Sequence, residues 1–458
     1  MIKRTLIEIQ QMIEDAELFG PGEQRITGVQ TDSRNIQEGC LFIPLVGEHF
    51  NGHDFVAQAI EKGASAALWQ EDQGQPPEGI PLVRVQDTLL ALQQLAASYR
   101  RQHQARVIGV TGSNGKTTTK DLVAAILETT YHVHKTDGNY NNHIGLPLTI
   151  LSMDEKVEMA VLEMGMSGRG EIELLSELAQ PEAAIITNIG EAHLLQLGSR
   201  EEIARAKLEI LSRMKPDGLF VFPGDEPLIR SLFDQEEHAA LKYISFGEST
   251  ENDLYPISMM QEEASTLFML NTHGLSAYRI PLLGKHNVIN AIAAIAVCKY
   301  MGVSEKDVVR GLKQAKITGM RIEKLQKESG LTILNDCYNA SPASMKAAIE
   351  LVSEMPGYRH KGVVLGDMLE LGEKENEYHR EIGQILDPKK IDWVYTFGPL
   401  AEYIAEEASN RYPLEAVQCF ASKQHLIEAL QAKADKDTIV LVKGSRGMKL
   451  EEVIDGIK

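Results

Sequence analysis

Cysteine is scarce in this sequence, which has only four among 458 residues, scattered at Cys40, Cys298, Cys337 and Cys419. No two of them have the spacing of a metal site and no disulfide framework is apparent, so a reducing cytoplasm is the expected compartment. Long apolar runs are also missing, since none approaches the roughly 20 residues that a membrane-spanning helix needs. The sequence therefore predicts no disulfide scaffold and no membrane insertion.

Positive charge is in short supply as well. Lysine and arginine together number 46 against 65 aspartates and glutamates, which gives a net charge of −19. A chain this acidic repels phosphodiester backbones, so a nucleic-acid partner is not expected. An acidic small substrate must therefore be held by a local cluster of donors rather than by the field of the whole protein.

The order of predicted elements divides the chain into three α/β domains, because 458 residues exceed one ordinary core. Residues 1–84 contain short strand-like runs and one clear helix, which indicates a small α/β unit. Over residues 85–315, apolar strands alternate with helices, and this pattern predicts a mostly parallel sheet covered on both faces. The alternation restarts over residues 316–458, where we expect a doubly wound, Rossmann-like domain. G-x-G-x-x-G is absent there, so a dinucleotide is not indicated.

The stretch VIGVTGSNGKTTTKDL, residues 107–122, predicts a phosphate-binding loop between a buried strand and a helix that begins at Lys116. The turn consists of small or polar residues: Gly112, Ser113, Asn114 and Gly115. A helix N-terminus presents free N–H groups and a positive dipole end, which together attract anions. Lys116 is expected to reach the β- and γ-phosphates of a nucleotide, and the hydroxyl of Thr117, next to Thr118, to join a Mg²⁺ shell. The standard pattern asks for glycine where Val110 stands, so a turn that binds nothing is the alternative.

Three further polar residues of the central domain are candidates for the site, two of them at the ends of predicted strands. In open α/β sheets, ligands bind beyond the carboxyl ends of the strands. Glu163 ends the apolar run MAVL, where a carboxylate beside a phosphate loop suits Mg²⁺, and His193 lies just past AAIITNIG. Lys207 lies on a helix, where spacing alone predicts a solvated lysine. The alternatives for the first two are an exposed turn glutamate and a structural or surface histidine.

Other polar clusters occur in both large domains. Asn141 and Asn142 lie in TDGNYNNHIGLPLTIL, which suits a loop that holds a polar substrate but also an ordinary turn. Asp336, Tyr338 and Asn339 follow a predicted strand of the C-terminal domain. The segment GDMLELGEKE, after the next strand, could bind an ammonium group or remain solvated; its acidic residues include Asp367, Glu370 and Glu373.

Motifs from all three domains together resemble the ATP-dependent Mur ligases of bacterial cell-wall synthesis. They include TDSRNIQEGCLFIPLVGEHFNGHDF, GVTGSNGKTTTKD, GNYNNHIGLPLTIL, LEMGMSGRGEI, TNIGEAHL, AKLEI, GKHNVINAIAA, DCYNASPASM, LGDMLELGE and VKGSRGMKLE. The family loop reads T-G-x-x-G-K-T without the outer glycine, so Val110 agrees with it. The sequence is most similar to the branch that adds D-Ala-D-Ala to a UDP-N-acetylmuramoyl-tripeptide. It lacks the D-N-P-R signature of the branch that adds diaminopimelate.

The resemblance implies ATP and Mg²⁺ as cofactors and gives catalytic roles to four residues. Lys116 would bind the terminal phosphates, and Thr117 would help to hold Mg²⁺. Glu163 and His193 would serve the metal ions. Lys207 would be carbamylated, which would give it a carboxylate-like group near the metal.

The resemblance also implies residues for the nucleotide and the substrates. Asn287 and Asn290 would approach the adenine, whereas Arg321 and Asp336 would hold the phosphates and ribose from the C-terminal side. The remaining residues fall in uridine-nucleotide or substrate motifs: Ser33, Arg34, Asn141, Asn142, Tyr338 and Asn339. Two positions depart from the family pattern D-S-Y-N-A-N-P, since Cys337 replaces serine and Ser341 replaces asparagine. Any hydrogen bond from those side chains is therefore in question.

The implied reaction begins when ATP converts a carboxylate into an acyl phosphate, which an amine then attacks. We expect a monomer in which a mobile C-terminal domain supplies the last contacts. The alternatives are another ligase of the superfamily, including a folylpolyglutamate-synthase-like enzyme, a P-loop kinase or regulatory ATPase, and a nucleotide-binding scaffold without turnover. The sequence leaves open whether the tripeptide ends in lysine or diaminopimelate.

Overall fold

The N-terminal part of the chain forms a small sheet with few helices, as predicted. The computed structural model describes residues 1–235, 240–272, 276–433 and 435–457. The first elements are β1 Lys3–Thr5, α1 Leu6–Gln11, β2 Glu17–Phe19, β3 Arg25–Thr27, β4 Val29–Gln30, β5 Leu41–Phe42, α2 Val56–Glu61, β6 Ala66–Gln70 and β7 Leu82–Val85. Strands in the order β2-β7-β6-β5-β4 form one sheet, in which only the pair β2–β7 is antiparallel. β1 and β3 form a separate antiparallel pair, which the sequence interpretation missed.

The central part alternates strands and helices. Its elements are α3 Thr88–Gln102, β8 Arg106–Thr111, α4 Lys116–Leu127, β9 Val133–Lys135, α5 Gly145–Ser152, β10 Met159–Glu163, α6 Glu171–Ala179, β11 Ala183–Ile186, α7 Leu194–Leu197, α8 Arg200–Leu208, β12 Leu219–Pro223, α9 Pro227–Gln235, β13 Lys242–Phe246, β14 Pro256–Gln261, β15 Thr266–Leu270, β16 Ala277–Ile280, α10 Lys285–Tyr300 and α11 Glu305–Gln314. Asp87 is the N-cap of α3, since its Oδ1 accepts the Leu90 N–H at 2.7 Å.

Six parallel strands form the central sheet in the order β13-β12-β11-β8-β10-β9. β8 lies between β10 and β11, so the chain reverses its direction of progress across the sheet there. Ligands of open α/β sheets bind at such a point, beyond the carboxyl ends of the strands. The loop that follows β8 is the predicted phosphate loop.

Both faces of the central sheet are covered, as expected. On one face, α3, α5 and α6 share a continuous hydrophobic core with the N-terminal sheet. The residues of this core range from Ile2 to Phe233. On the other face, α4, α10 and α11 pack together with a three-stranded antiparallel sheet, β14-β15-β16. This second sheet was missed because its short alternating strands lie inside a region read as parallel α/β alternation.

The C-terminal part is a doubly wound domain, which confirms the predicted fold class. Its elements are β17 Glu323–Gln326, β18 Thr332–Asp336, α12 Pro342–Glu354, β19 His360–Gly366, α13 Glu375–Ile385, β20 Trp393–Phe397, α14 Glu402–Ser409, β21 Val417–Phe420, α15 Lys423–Ala432, β22 Thr438–Lys443 and α16 Glu451–Gly456. The strand order is β17-β18-β22-β19-β20-β21, and only the edge strand β17 is antiparallel. Within the described ranges, no helix has the length and apolar character needed to cross a membrane.

Candidate active site

A cleft of about 1130 Å³ lies between the central and C-terminal domains, at the carboxyl ends of β8, β10 and β18. It brings together most of the predicted site residues, although they come from opposite ends of the sequence. Those that line it are Ser113, Asn114, Gly115, Lys116, Thr117, Thr118, Asn141, Asn142, Glu163, His193, Lys207, Asn287, Asn290, Arg321, Asp336, Tyr338 and Asn339.

The phosphate loop is tightly held by its neighbours. Gly112 and Gly115 have φ values of +146° and +79°, in the region that favours glycine. A Cβ on Gly112 would lie 1.9 Å from Thr187 Oγ1, so no larger residue fits there. The Asn114 N–H donates to Asn188 Oδ1 at 2.8 Å, which fixes the loop backbone. Val110 is fully buried within β8, so the strand continues through the position where the standard pattern has glycine.

Lys116 begins α4 and bends back over the loop. Its Nζ donates to the Gly112 carbonyl at 2.7 Å. Burial lowers the pKa of Lys116, with Arg321 acting in the same direction and Glu163 opposing both. A cation held in this way beside free N–H groups at a helix N-terminus is arranged to receive anionic phosphate oxygens.

Glu163 is buried at the end of β10 and forms hydrogen bonds with two other predicted site residues. The Thr117 hydroxyl donates to Glu163 Oε2 at 2.9 Å, and Asn141 Nδ2 donates to Oε1 at 2.8 Å. The Glu163 N–H donates to Thr136 Oγ1 at 2.9 Å, which fixes the strand end. The exposed-turn alternative is therefore wrong, because the side chain is 2 % exposed.

A hydroxyl beside a carboxylate fits Mg²⁺, which usually takes one or two protein ligands and completes its shell with substrate phosphates and water. Across the described part of the chain, no group of three or more His, Cys, Asp or Glu side chains could hold a metal ion. Thr117 and Glu163 are two oxygen ligands of the kind that Mg²⁺ takes together with substrate phosphates and water.

His193 is half-buried in a left-handed conformation, with φ +65°. Its Nδ1 lies 2.9 Å from Oε2 of Glu370, a residue of the C-terminal domain. Burial lowers the pKa of His193, while Glu370 raises it and Lys116 and Lys207 lower it further. Of the acidic cluster in GDMLELGEKE, Glu370 thus contacts the central domain. Asp367 is buried and accepts the Ala401 N–H at 2.7 Å.

Lys207 is 2 % exposed on α8, so the interpretation as a solvated surface lysine is wrong. Burial holds the pKa of Lys207 well below its ordinary value, and the nearby Lys116 ammonium lowers it further. Both influences favour the neutral amine of Lys207 over its ammonium form.

The nucleotide residues predicted on α10, Asn287 and Asn290, are both buried, and Asn290 lies against the phosphate loop. Asn287 Nδ2 donates to the Leu283 carbonyl at 2.8 Å. Asn290 lies so close to Gly115 that a Cβ there would be 2.7 Å from Asn290 Oδ1. This contact explains why the loop needs glycine at that position.

The C-terminal domain supplies a cationic and aromatic wall to the cleft. The Arg321 guanidinium lies 4.1 Å from the centre of the Tyr338 ring. Lys443 Nζ pairs with Asp336 Oδ2 at 2.5 Å and donates to the Asn339 carbonyl at 2.9 Å. The side chain of Asp336 is thus oriented from within its own domain.

Sequence reasoning gave no role to Lys443 or to His286, yet both line the cleft. Lys443 ends β22, so the strand-end rule that selected Asp336 could have found it. Burial lowers the pKa of His286, while Asp336 raises it and Lys443 lowers it. A histidine near the start of a helix carries no local signal that distinguishes it from a structural one.

Ser33 and Arg34 lie outside this cleft, on the N-terminal domain. Arg34 is exposed and forms two 2.9 Å hydrogen bonds with Asp32 through Nε and Nη2. This pairing lowers the pKa of Asp32 to about 2. Lys62 Nζ donates to the Ser33 carbonyl at 2.8 Å. Asn142 reaches the cleft, but its Oδ1 accepts the N–H groups of Ile144 and Gly145 at the start of α5.

The two departures from the family pattern have different consequences. Cys337 is fully buried, and its thiol donates to the Val442 carbonyl at 3.3 Å, with burial raising its pKa to about 12. Ser341 is the N-cap of α12, and its hydroxyl also donates to Asn114 Oδ1 across the domain boundary at 3.2 Å. Ser341 therefore keeps a side-chain hydrogen bond to Asn114, which lines the cleft.

Comparisons with known proteins agree along the whole chain. Three family descriptions match: "Mur ligase family, catalytic domain" at residues 25–100, "Mur ligase middle domain" at 110–298, and "Mur ligase, glutamate ligase domain" at 320–446. A relative from Bacillus subtilis, UDP-N-acetylmuramoyl-tripeptide–D-alanyl-D-alanine ligase, is 50% identical over 456 residues, which cover 99% of this chain and 98% of that protein.

Solved structures give the same result. A crystal structure of MurF from Acinetobacter baumannii is 33% identical with a TM-score of 0.89, over 99% of this chain and 98% of that one. The MurF ligase from Thermotoga maritima in complex with ADP is 30% identical with a TM-score of 0.82, over 94% and 96%. With half of its residues identical to a full-length ligase and all three domain types matched in order, the chain belongs to the Mur ligase family.

Proposed function

We propose that the protein is the ATP-dependent ligase that joins D-Ala-D-Ala to UDP-N-acetylmuramoyl-tripeptide, with release of ADP and phosphate, in bacterial peptidoglycan precursor synthesis. The observation that carries this function is the convergence of Lys116, the Thr117–Glu163 pair and Arg321 on one interdomain cleft. The substrates follow from the B. subtilis relative, which matches the chain over nearly its full length. The B. subtilis relative is named as this ligase, and the MurF structure from A. baumannii has the fold of this chain. A ligase is therefore favoured over a kinase or a scaffold.

The reaction requires a poor electrophile to be activated. ATP transfers its γ-phosphoryl group to the terminal carboxylate of the tripeptide, which gives an acyl phosphate and ADP. The free amine of D-Ala-D-Ala attacks the acyl carbon, the tetrahedral intermediate collapses, and phosphate leaves as the amide bond forms and the amine loses a proton. Two anions must approach each other in the first step, so catalysis consists mainly of charge neutralisation and positioning.

The residues of the central domain perform the charge neutralisation. Lys116 and the N–H groups of the loop hold the β- and γ-phosphates. Thr117 and Glu163 provide an oxygen pair for Mg²⁺, with Asn141 keeping the Glu163 carboxylate in place. When bound, Mg²⁺ supplies Lewis-acid stabilisation of the charge on the transferring phosphoryl group. His193, at the edge of the same cleft, serves the metal side of the site.

Lys207 acts as a carbamate in this proposal. CO₂ adds only to a neutral amine, and the burial of Lys207 favours that form. The carbamate carries a negative charge, which Lys116 and a bound cation would stabilise. Its negative end would act as a second carboxylate-like group near the metal, beside Glu163.

The three domains divide the work. Residues 1–84, with Ser33 and Arg34, hold the uridine-nucleotide portion; residues 85–315 hold ATP, with Asn287 and Asn290 near the adenine. Residues 316–458 bring Arg321 and Asp336 to the nucleotide, and Tyr338 and Asn339 to the substrates. We expect the enzyme to act as a cytoplasmic monomer, in keeping with its four unpaired cysteines.

A substrate-dependence assay tests the proposal. Purified protein should release one phosphate per product, and only when ATP, a UDP-muramoyl-tripeptide and D-Ala-D-Ala are all present. Mass spectrometry should show the UDP-muramoyl-pentapeptide, and free D-alanine should be a poor substitute because it lacks the binding energy of the second residue. Phosphate release without the dipeptide would favour an ATPase or kinase, and equal use of single amino acids would favour a sister ligase. Light scattering in the same buffer measures the oligomeric state.

A further inference from the structure

Asp121 is a buried acid of the phosphate-loop helix that the mechanism above does not use. It lies on α4, five residues after Lys116, and its side chain has no exposed surface. Its Oδ1 accepts from Lys135 Nζ at 2.7 Å and lies 3.4 Å from Lys120 Nζ. Its Oδ2 accepts both the backbone N–H of Thr318, at 2.9 Å, and the Thr318 hydroxyl, at 2.8 Å.

Thr318 belongs to the segment that connects the central and C-terminal domains, between the end of α11 and the start of β17. Met320 and Ile322, two and four residues after Thr318, have φ values of +61° and +55°. Arg321 therefore lies between two non-glycine residues in left-handed conformations. Such backbone is unfavourable, above all for a β-branched isoleucine, and persists only where surrounding contacts hold it. The bend directs the Arg321 side chain into the cleft.

We infer that Asp121 is a positioning residue for Arg321. By accepting two hydrogen bonds from Thr318, it fixes the connecting segment to α4. The fixed segment in turn places the Arg321 guanidinium against the nucleotide. The inference rests on the proposed role of Arg321 in holding phosphate. Arg321 is the third residue after Thr318, so a shift at Thr318 moves the guanidinium directly.

Asp121 is also connected, through Lys120 and Thr136, to Glu163 on the metal side of the cleft. Lys120 Nζ, beside Asp121, donates to the Thr136 carbonyl at 2.8 Å. The Thr136 hydroxyl oxygen accepts the N–H of Glu163 at 2.9 Å. The end of β10, the middle of α4 and the connecting segment are thereby joined by one polar network around the buried side chains of Lys120 and Asp121.

Thr318→Val is the most direct variant, because Thr318 is exposed and the change removes the hydroxyl while keeping the side-chain shape. The matched control is Lys135→Met, which removes a partner of the same carboxylate without touching the connecting segment. Both variants lower thermal stability if Asp121 is only a structural acid. Only Thr318→Val weakens ATP binding if Asp121 positions Arg321.

The decisive experiment is a double-mutant cycle with Thr318→Val and Arg321→Ala, measured as ATP affinity by calorimetry with a non-hydrolysable analogue and as the KM for ATP against kcat. We expect Thr318→Val to weaken ATP binding about tenfold, the size expected for loss of a hydrogen bond to a charged group. That effect should nearly vanish in the Arg321→Ala background, since sites that act through one another are not additive. Additive losses, or an equal loss in Lys135→Met, would overturn the inference.

Limited trypsin digestion of the free protein gives a second readout. Cleavage after Lys316 and Arg321, identified by intact mass, should be faster in Thr318→Val than in the wild type and unchanged in Lys135→Met. Equal cleavage in all three proteins counts against the inference. A wild type that binds ATP but makes no pentapeptide would instead contradict the proposed function and leave the binding cycle interpretable.

Discussion

The hydroxyl of Ser341 donates to Asn114 Oδ1 at 3.2 Å, across 227 positions of sequence and across the boundary between two domains. Ser341 is also the N-cap of α12, so this contact aims the N-terminus of a C-terminal-domain helix at the phosphate loop. With the pair His193–Glu370, it shows the C-terminal domain seated against the ATP-binding domain. In this arrangement, groups from both domains can act on one nucleotide.

Replacing Ser341 tests whether this contact matters beyond capping. Ser341→Ala should destabilise the protein by about 1 kcal/mol through the lost cap, and the lost contact with Asn114 should lower kcat/KM for ATP roughly fivefold. Ser304→Ala is the matched control, because Ser304 caps α11 and its hydroxyl bonds to Asp307 within the same helix rather than to the phosphate loop. Unfolding and steady-state kinetics measure both variants, and an equal kinetic effect in the two would show that only helix stability is at stake.

Lys116→Ala should abolish ligation while the protein stays folded. In the proposed mechanism the Lys116 ammonium neutralises charge that develops in phosphoryl transfer, so we expect kcat to fall by roughly 10²–10³-fold or more. Phosphate release at saturating ATP gives the rate, and circular dichroism checks the fold. Near-normal turnover would contradict the assignment of the phosphate loop.

Glu163→Gln keeps the shape of the side chain but removes the charge that suits Mg²⁺. We expect the Mg²⁺ concentration for half-maximal activity to rise, together with a fall in kcat of roughly 10²-fold. The variant Glu171→Gln, at the rim of the same cleft, serves as the control. An unchanged Mg²⁺ dependence in Glu163→Gln would remove this carboxylate from the metal site.

Lys207 should carry a carbamate in the active enzyme. Labelled ¹³CO₂ should give a carbamate resonance in the wild type that is missing from Lys207→Ala, and that variant should lose activity. Short carboxylic acids should partly restore it by replacing the missing anion, whereas Lys207→Arg should stay inactive because it keeps a positive charge. An active arginine variant, together with no resonance, would contradict the carbamate without affecting the ligase assignment.

The environment of Asp121 implies that the free energy of unfolding depends on pH. Burial alone would raise the pKa of Asp121, yet Lys120, Lys135 and the Thr318 N–H together hold it below its ordinary value. A depressed carboxyl pKa stabilises the folded state above the unfolded-state value of about 3.9, and this stabilisation is lost as the pH falls through the lower folded value.

The free energy of unfolding of the wild type should therefore exceed that of Asp121→Asn at pH 7. The difference should shrink below about pH 4, where the unfolded-state carboxyl takes up its proton. Denaturant titrations across the pH range measure it. A difference that stays constant down to acid pH would show that the charge of Asp121 does not stabilise the fold.

The sequence determined the features that depend on neighbours along the chain. The strand–loop–helix at residues 107–122, the caps at Asp87 and Ser341, and the α/β alternation are set by contacts within a few residues, so hydrophobic period and turn chemistry predict them. The resemblance of ten motifs added roles for residues that no spacing could have chosen. Among these, Asn290 and Arg321 do line the cleft.

Tertiary structure alone decided which side chains are buried together and which charges they feel. Spacing predicted a solvated Lys207, but packing of α8 removes it from water and lowers its pKa. In the sequence, nothing distinguishes Asp121 from any other polar residue on a helix. Its contact with Thr318, 197 positions away, exists only in the folded protein. The energy of a charged group depends on its solvation and on every nearby charge, and those are fixed only when distant segments of the chain meet.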